Sequence, residues 1–547
     1  MKSLQVSKGN SSVKNGYEAM TGQINVEYLK PDDEQGAALN IYGNSMSKLE
    51  INADGNIHIG GSKNFSTEIL THFENSWSHH DGNGDGFQDD PQVRQYNLQN
   101  RWFYKSGNYM LHAGIGFLNE ERTSGQVAGS HHLAAETAPY RIRIGTDRYE
   151  GYMKHALILD PSRGTNIALI GNLSMHKQSA DYGLKHYDVH EKNAYASLIF
   201  ETNFATGHNL SAGLGLSHDY LRQNLTLAEG TAAPTGYGNR YPLLGNVERE
   251  TTPGAYMQYT YSLGHRFVAM TGLRIDRSSV YGTFVTPRFH VKWMPADFLT
   301  LRLSAGKGYR SPHALAENNF LMASGRRLVI DELKQEKAWN YGASLSFLIP
   351  LQNKALKLNA EYYYTHFVNQ TVVDYDTDPL TLRIGNLDGK SYSHTFQIDA
   401  SYPFFRGFEL TAAYRYNLVK ETFGGRLLAK PLQSRYKGLL TASYKTPLGL
   451  WQFDATFALN GSGRMPTPYV STDGTPSWAG HYRAYGQLSG QVTRYFRHFS
   501  VYLGGENLTN YKQKNPIMGY HDPWSQTFEP TMFTDRCKVP WSTLVFG

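Results

Sequence analysis

One cysteine in 547 residues, Cys537, removes a disulfide framework and a multi-thiolate metal site from consideration. Charge is sparse as well: 18% of residues are Asp, Glu, Lys or Arg, against about 25% in typical globular domains. The net charge of +6 is spread along the chain with no dense Lys/Arg tract, so nucleic acid is not an expected partner. No apolar run reaches ~18 residues, which excludes a membrane-spanning helix. The mean hydropathy of −0.49 leaves a membrane barrel open, because barrel strands alternate lipid-facing and lumen-facing side chains and average to polar. A Gly-x-Ser-x-Gly elbow, a His-Glu-x-x-His pair and a phosphate-cradling loop are all missing, and Cys537 has no activating context, so an enzyme is not expected. No charged n-region and apolar h-region follow Met1, so no export signal is read there.

What the chain does have is 13% aromatics, with 38 Tyr, and 53 Gly. Aromatics favour pleated surfaces and Gly supplies positive φ in tight turns. The dominant pattern has period two. In Phe408-Glu409-Leu410-Thr411-Ala412-Ala413-Tyr414-Arg415-Tyr416 apolar or aromatic residues fall on one face and mostly polar or small ones on the other. Residues 210–216, 299–303 and 356–364 read similarly. A soluble two-sheet sandwich alternates too; the connections separate the two readings.

Tight turns are predicted at residues 61–64, 105–108, 160–166, 205–208, 263–266, 296–298, 351–354, 406–407, 447–449 and 497–498. Between them fall long polar loops, including residues 78–92, 120–139, 222–250, 313–335 and 461–477. One rim of short turns and one of long loops is the asymmetry of outer-membrane barrels. The turn count predicts an all-β, transmembrane antiparallel barrel of roughly 22 strands, the size of plugged transporters. Many strands exceed the ~10 residues needed to cross, so they are expected to project beyond the membrane.

Val6-Ser7-Lys8-Gly9-Asn10-Ser11-Ser12, then Gly16-Tyr17-Glu18-Ala19-Met20-Thr21-Gly22-Gln23-Ile24-Asn25-Val26, resembles the end of the plug domain of TonB-dependent outer-membrane receptors. Further resemblances follow in order. Thr286-Pro287-Arg288 precedes a strand ending at Trp293, and Gly306-Lys307-Gly308-Tyr309-Arg310-Ser311-Pro312 follows the next strand. Leu333-Lys334-Gln335-Glu336 opens another, and Glu506-Asn507-Leu508-Thr509-Asn510-Tyr511 lies near the end. Each is weak singly, and the ordered set is specific. The resemblance implies the C-terminal end of a plug over residues 1–32, held in the lumen of a barrel over residues 33–547. It implies an outer-membrane receptor that imports a scarce ligand, driven by the TonB energy-transducing complex. Its partners would be outer-membrane lipid and a small-molecule metal complex, an iron complex (ferric siderophore or haem) first among them. Cobalamin, copper or a glycan are alternatives; a passive porin and a barrel-borne hydrolase are rival classes. No cofactor is required.

Haem receptors of this family carry a box like Tyr309-Arg310-Ser311-Pro312 followed by a His and an Asn-Pro-x-Leu element. Here His313 follows, and the second element is missing. Tyr309, Arg310 and His313 are therefore candidate ligand-binding residues, together with His79, His80, His131 and His132 on predicted external loops, since imidazole suits haem iron, copper or nickel. Asp81, Asn83 and Asp85 fall at positions one, three and five of an EF-hand-like loop, with Gly86 at six, Phe87 at seven and Asp89 at nine. Those oxygens suit Ca²⁺, although Gln92 replaces the bidentate Glu at twelve. A solvated Asp/Gly-rich turn is the plainer alternative.

Both ends depart from the receptor pattern. The bulk of the plug and the segment contacting TonB would precede Met1. A closing strand is expected to alternate and end on an aromatic; instead the residues from Met532 include Pro540, which removes a ladder donor. One added base after the Met532 codon permits an ending in Met-Val-Tyr-Val-Gly-Leu-Arg, so the last strand, from about residue 532, is expected to be frameshifted. The seam with the first barrel strand, near residues 37–43, is then expected to lose ladder hydrogen bonds, leaving this chain unable to carry out gated import.

Overall fold

The structure, a computed structural model, describes residues 3–19, 22–33, 36–127, 138–227, 235–236, 246–468, 478–513, 517–531 and 543–546. Strands take up 70% of the residues and helices 3%. The architecture is one antiparallel sheet of 22 strands in which sequence neighbours pair with one another. All the predicted tight turns lie between consecutive strands. The connections between Ala205 and His208, Ala296 and Leu299, and Phe405 and Phe408 are the shortest kind. At Ala205–His208 the turn needs Gly207, whose φ is +77°.

The sheet bends round on itself. Its first strand, Gly36–Asn44, meets a short last strand, Thr543–Phe546, through Gly43 opposite Phe546 and Asn44 opposite Val545. The last strand pairs on its other side with residues 503–506. Among the described residues, residues 36–42 pair on one side only.

The alternation explains the sheet's two surfaces. Leu169, Leu173 and Met175 on one strand, Leu198 and Phe200 on the next, and Leu214 and Leu216 on the one after all point outward and are exposed. A belt of exposed aliphatic and aromatic side chains fits hydrocarbon, where backbone groups must be satisfied within the sheet. The opposite face lines a polar lumen, with Ser66, Glu68, Arg274 and Asp276 buried there.

The strands are longer than the crossing requires. Arg141–Asp160, Thr165–Tyr182, Lys185–Ala205 and His208–Leu227 have 20, 18, 21 and 20 residues. Two predicted loops are therefore too long. Residues 120–125 belong to the strand Tyr109–Gly125, and the predicted loop over 222–250 gives up residues 222–227 and 246–250 to strands. The physical reason is a change of phase. Above the belt the lumen-facing positions turn apolar (Tyr187, Val189, Leu221, Leu225) and the outward ones turn polar (Lys177, Arg222, Asn224).

These inward apolar residues seed a second core at the long-loop rim. Loops pack on them through Leu315, Leu321, Met322, Leu328, Ile330, Leu382 and Ile384, all buried. A four-stranded sheet made only of loop segments, Thr235–Gly236, Arg327–Ile330, Thr381–Asn386 and Thr371–Asp374, organises them. The last long loop crosses to the same rim. Its Phe528 is fully buried and stacks on Phe87 at 5.7 Å, and its Glu529 pairs with buried Arg326 at 3.3 Å. Arg464 adds a two-pronged pair to Asp376, at 2.6 and 2.8 Å. The rim is thus covered by a packed cap. Ile384→Ala, removing a fully buried side chain, is expected to destabilise this cap by about 2–5 kcal/mol. The check is faster proteolysis within residues 314–386 while the barrel keeps its heat-modifiable mobility on unboiled gels.

Candidate functional site

The first described residues lie inside the lumen as a separate two-stranded sheet, Ser3–Lys8 with Gly22–Glu27. The segment between the strands is seated on the wall by side chains from many barrel strands. Arg288 is the centre of that seat. Its Nη1 donates to the Ser11 and Ser12 carbonyls at 3.0 and 2.9 Å, and its Nη2 to the Tyr17 carbonyl at 3.2 Å. A guanidinium suits this task because its donors lie in a fixed plane and reach several acceptors together. Asn10 donates to the Asn340 carbonyl at 3.0 Å, Ser12 to Gln258 at 2.5 Å, and Lys8 and Lys14 pair with Glu361 and Glu201 at 2.5 and 2.7 Å. Val13 is fully buried against Gly272, where an added Cβ would lie 2.6 Å from the Val13 Cγ2. Tyr17 stacks edge-on with Phe284 at 5.0 Å, and Phe284 packs on Tyr309 at 4.6 Å.

Above the seat, toward the cap, a cleft of about 210 Å³ is lined by Asp219, Glu248, Glu250, Tyr281 and His313, among others. His313 Nδ1 lies 2.8 Å from Glu248. Glu250 accepts from Ser311 at 3.1 Å and from Ser278. Glu18 reaches toward these groups from the seated segment. It keeps water at its surface but is walled in by the lumen. That enclosure, followed by the charge of Asp219, pushes its carboxyl up to about 7, against the opposing pull of Arg310. Burial works against a charged His313, yet the hydrogen bond and charge of Glu248 outweigh it and raise the imidazole above its usual value. The cleft is a carboxylate-rich space in the wall and its loops, and Glu18 of the lumen segment lies near enough to Asp219 and Glu250 to feel their charge.

The family description "TonB dependent receptor-like, beta-barrel" matches residues 10–508. The chain belongs to this family. No curated protein matches the receptor's sequence. Among solved structures, the copper transporter OprC shares the fold with a TM-score of 0.74 at 14% identity, covering 99% of this chain and 84% of OprC. The FrpB iron transporter from Neisseria meningitidis gives 0.71 at 13%, covering 99% and 86%. P. aeruginosa FpvA bound to heterologous pyoverdines gives 0.70 at 13%, covering 99% and 75%. The receptor is thus an outer-membrane β-barrel of active import, and in such barrels the longer loops stand on the external rim.

The structure brings some of the sequence-predicted residues together and separates others. Tyr309 is buried in the seat, where its amide also donates to the Tyr17 carbonyl at 3.2 Å. Arg310 is engaged by Glu336 at 2.5 Å and Glu317 at 2.7 Å. These two residues fasten the wall, the seated segment and the first turn of the cap, while His313 alone of that box faces the cleft. His79 contacts Gln88 and Gln92 on its own loop, and no contact joins it or His80 to His313. His131 and His132 lie outside the described residues.

The loop of Asp81, Asn83, Asp85, Phe87 and Asp89 closes on its own backbone. Asp81 accepts from the amides of Gly84, Asp85 and Gly86, Asp85 accepts from Phe87, and Asp89 accepts from Gly82. The Phe87 side chain is buried against Phe528. Among the described residues no three His, Cys, Asp or Glu side chains converge as a metal cluster. Sequence reasoning missed Glu18, Asp219, Glu248, Glu250 and the part played by Arg288. Strand parity was the signal available: the apolar outward positions Leu214 and Leu216 place Asp219 on the lumen side.

Arg288→Ala strands three carbonyls and is expected to loosen the seated segment by on the order of 3 kcal/mol, since charge-assisted bonds contribute about 1.5–3 kcal/mol each. Trypsin cleavage after Lys14 should accelerate, and Arg288→Lys should restore protection only in part. Glu18 gives a signed pH dependence. Its folded value lies above the ordinary 4.5, so the folded state holds the extra proton and stability falls as pH rises from about 4.5 to about 7. Glu18→Gln should remove that slope, so its melting temperature should pull ahead of wild type across this window; parallel curves would refute the assignment.

Proposed function

We propose that the receptor imports a small metal complex, an iron complex of neutral or positive charge, captured at the external mouth and drawn through the lumen by the TonB complex. The observation that carries this reading is the cleft lined by Asp219, Glu248 and Glu250, with Glu18 of the lumen segment close enough to feel the charge of Asp219 and Glu250. The cations near it are already engaged: His313 by Glu248, Arg310 by Glu336 and Glu317, and Arg249 by the Tyr220 ring. Two like charges 4 Å apart repel by about 1 kcal/mol in water and about 4 kcal/mol at the effective dielectric near a protein surface. A tris-catecholate iron complex carries three negative charges and is repelled there. A tris-hydroxamate complex is neutral, and with a free amine it is cationic.

Seating of the lumen segment by Arg288 favours gated import over a passive pore, because a passive pore has no use for a segment fastened across its lumen. A copper ion or copper complex is the second reading, favoured by the carboxylate and imidazole donors of the same cleft. Ca²⁺ at the Asp81 loop, if it binds, orders the external surface and takes no part in transport.

The test is growth of an iron-starved, receptor-null strain carrying the full-length gene. Ferric hydroxamates are expected to support growth and ferric catecholates to fail, with haem, cobalamin and copper as parallel arms. Asp219→Asn combined with Glu250→Gln should weaken binding of the accepted complex about tenfold, equivalent to ~1.4 kcal/mol. Equal growth on catecholate and hydroxamate iron would overturn the charge argument.

A further inference from the structure

The outward faces of the tall strands carry a feature that import through the lumen does not use. Asp147, Lys177, His190 and Arg222 lie directly opposite one another on four adjacent strands and form one horizontal row. The row below it runs Tyr149, Met175, Lys192, Tyr220 and Arg249. Lys177, Lys192, Arg222 and Arg249 are exposed, and none pairs with a carboxylate among the described residues. The Arg249 guanidinium lies over the Tyr220 ring at 5.5 Å, and the charges of Arg222, Lys177 and Lys192 bear on His190, opposed by Asp188 alone. The one acid within these two rows, Asp147, accepts a hydrogen bond from Asn119 at 2.7 Å.

Immediately below, the same face opens into an apolar groove of about 480 Å³. Gly151, Gly171, Ala194 and Ala196 form its floor, and Met153 and Leu173 stand as walls. Small residues on neighbouring strands between bulky ones leave a channel directed along the strands toward the cations. Leu173 is 62% exposed and Met175 50%, so the groove lies in the apolar belt and the cation rows sit at its upper edge. Unpaired cations concentrated at that edge call for an anionic counterpart, and a groove beneath them calls for a chain of methylenes.

We propose that this face binds a phosphorylated, acylated lipid of the outer leaflet, with its phosphate against Lys177, Lys192, His190 and Arg222 and an acyl chain in the groove. Charge complementarity and the position of the groove directly beneath the cations select a lipid over an acidic protein surface, which has nothing to place in an apolar channel at membrane depth. The site is distinct from the lumen cleft and does not rest on the identity of the imported ligand.

The full chain, purified in non-ionic detergent, is to be analysed by native mass spectrometry and lipid phosphorus. About one phosphorylated lipid per barrel is expected to remain bound. The triple variant Lys177→Ala, Lys192→Ala, Arg222→Ala should retain about tenfold less. Gly171→Leu fills the groove without changing charge, at a position where an added Cβ meets only ordinary contact with Met153 at 3.5 Å, and should also lose the lipid. Equal lipid in all three proteins overturns the proposal. Loss in the triple variant with full retention in Gly171→Leu overturns it as well, since that pattern is a diffuse anionic surface effect. A measurement on the wild-type chain alone guards against variants that fail to fold. Micelles doped with dimyristoyl phosphatidic acid should raise its melting temperature, while phosphatidylcholine or inorganic phosphate should not, and equal effects refute a site for an acylated phosphate.

Discussion

A backbone amide in hydrocarbon has no water to turn to, and each unmatched group there costs on the order of several kcal/mol. Most other features of this molecule follow from that constraint. Strands through the belt must pair with their neighbours, so the chain visits them in sequence order and the sheet bends until its last strand reaches Gly43 and Asn44 of its first. Irregular backbone is expelled from the wall to two places where its polar groups can be satisfied, the lumen and the rims. In the lumen, Arg288 satisfies the carbonyls of the segment that enters from the N-terminal side. At the external rim, loops too long to stay solvated gather into a sheet of their own.

The external cap is the second consequence. Inside the belt the lumen faces of the strands must be polar, because water and the lumen segment lie there. Above the belt the demand reverses: outward positions meet water and inward positions meet packed loops. The same strands therefore carry two opposite alternations. Along His208–Leu227, Leu214 and Leu216 point out to lipid, while Leu221 and Leu225 point in to the cap and Arg222 and Asn224 point out. The reversal marks the edge of the membrane, and it is why cations collect on the outside at that height.

This reversal also sets how much of the molecule was legible in the sequence. The short turns were readable because each needs Gly, Pro or a polar pair at a fixed place, and turn chemistry is local. Strand number followed from them. The upper ends of the tall strands were not readable as strands, because a change of phase between Leu216 and Leu221 looks like the end of a pattern. The loop sheet joins segments more than fifty residues apart, such as Val329 with Thr235 in parallel pairing and Val329 with Arg383, and no local periodicity announces such a pairing. At the site, the box from Tyr309 to His313 was conspicuous, yet Tyr309 and Arg310 hold the structure together and only His313 reaches the cleft. The cleft's carboxylates come one or two at a time from different strands, so they form a cluster only once the register is known. The histidines of the external loops stood out by number, and number says nothing about convergence.

The arrangement of those carboxylates ties the lumen segment to whatever occupies the cleft. Glu18 is carried by the segment and Asp219 and Glu250 by the wall, so their mutual repulsion acts directly on the seat that Arg288 and Val13 provide. A proton on Glu18 relieves that repulsion; so does a cation or a neutral complex that replaces water with donors. In the proposed reading, ligand occupancy and the hold of the wall on the segment are linked quantities, because each changes the free energy of the other by the same amount. In that reading a full cleft and an empty one present the TonB complex with segments held to different degrees, and this difference is the physical form a ligand signal can take.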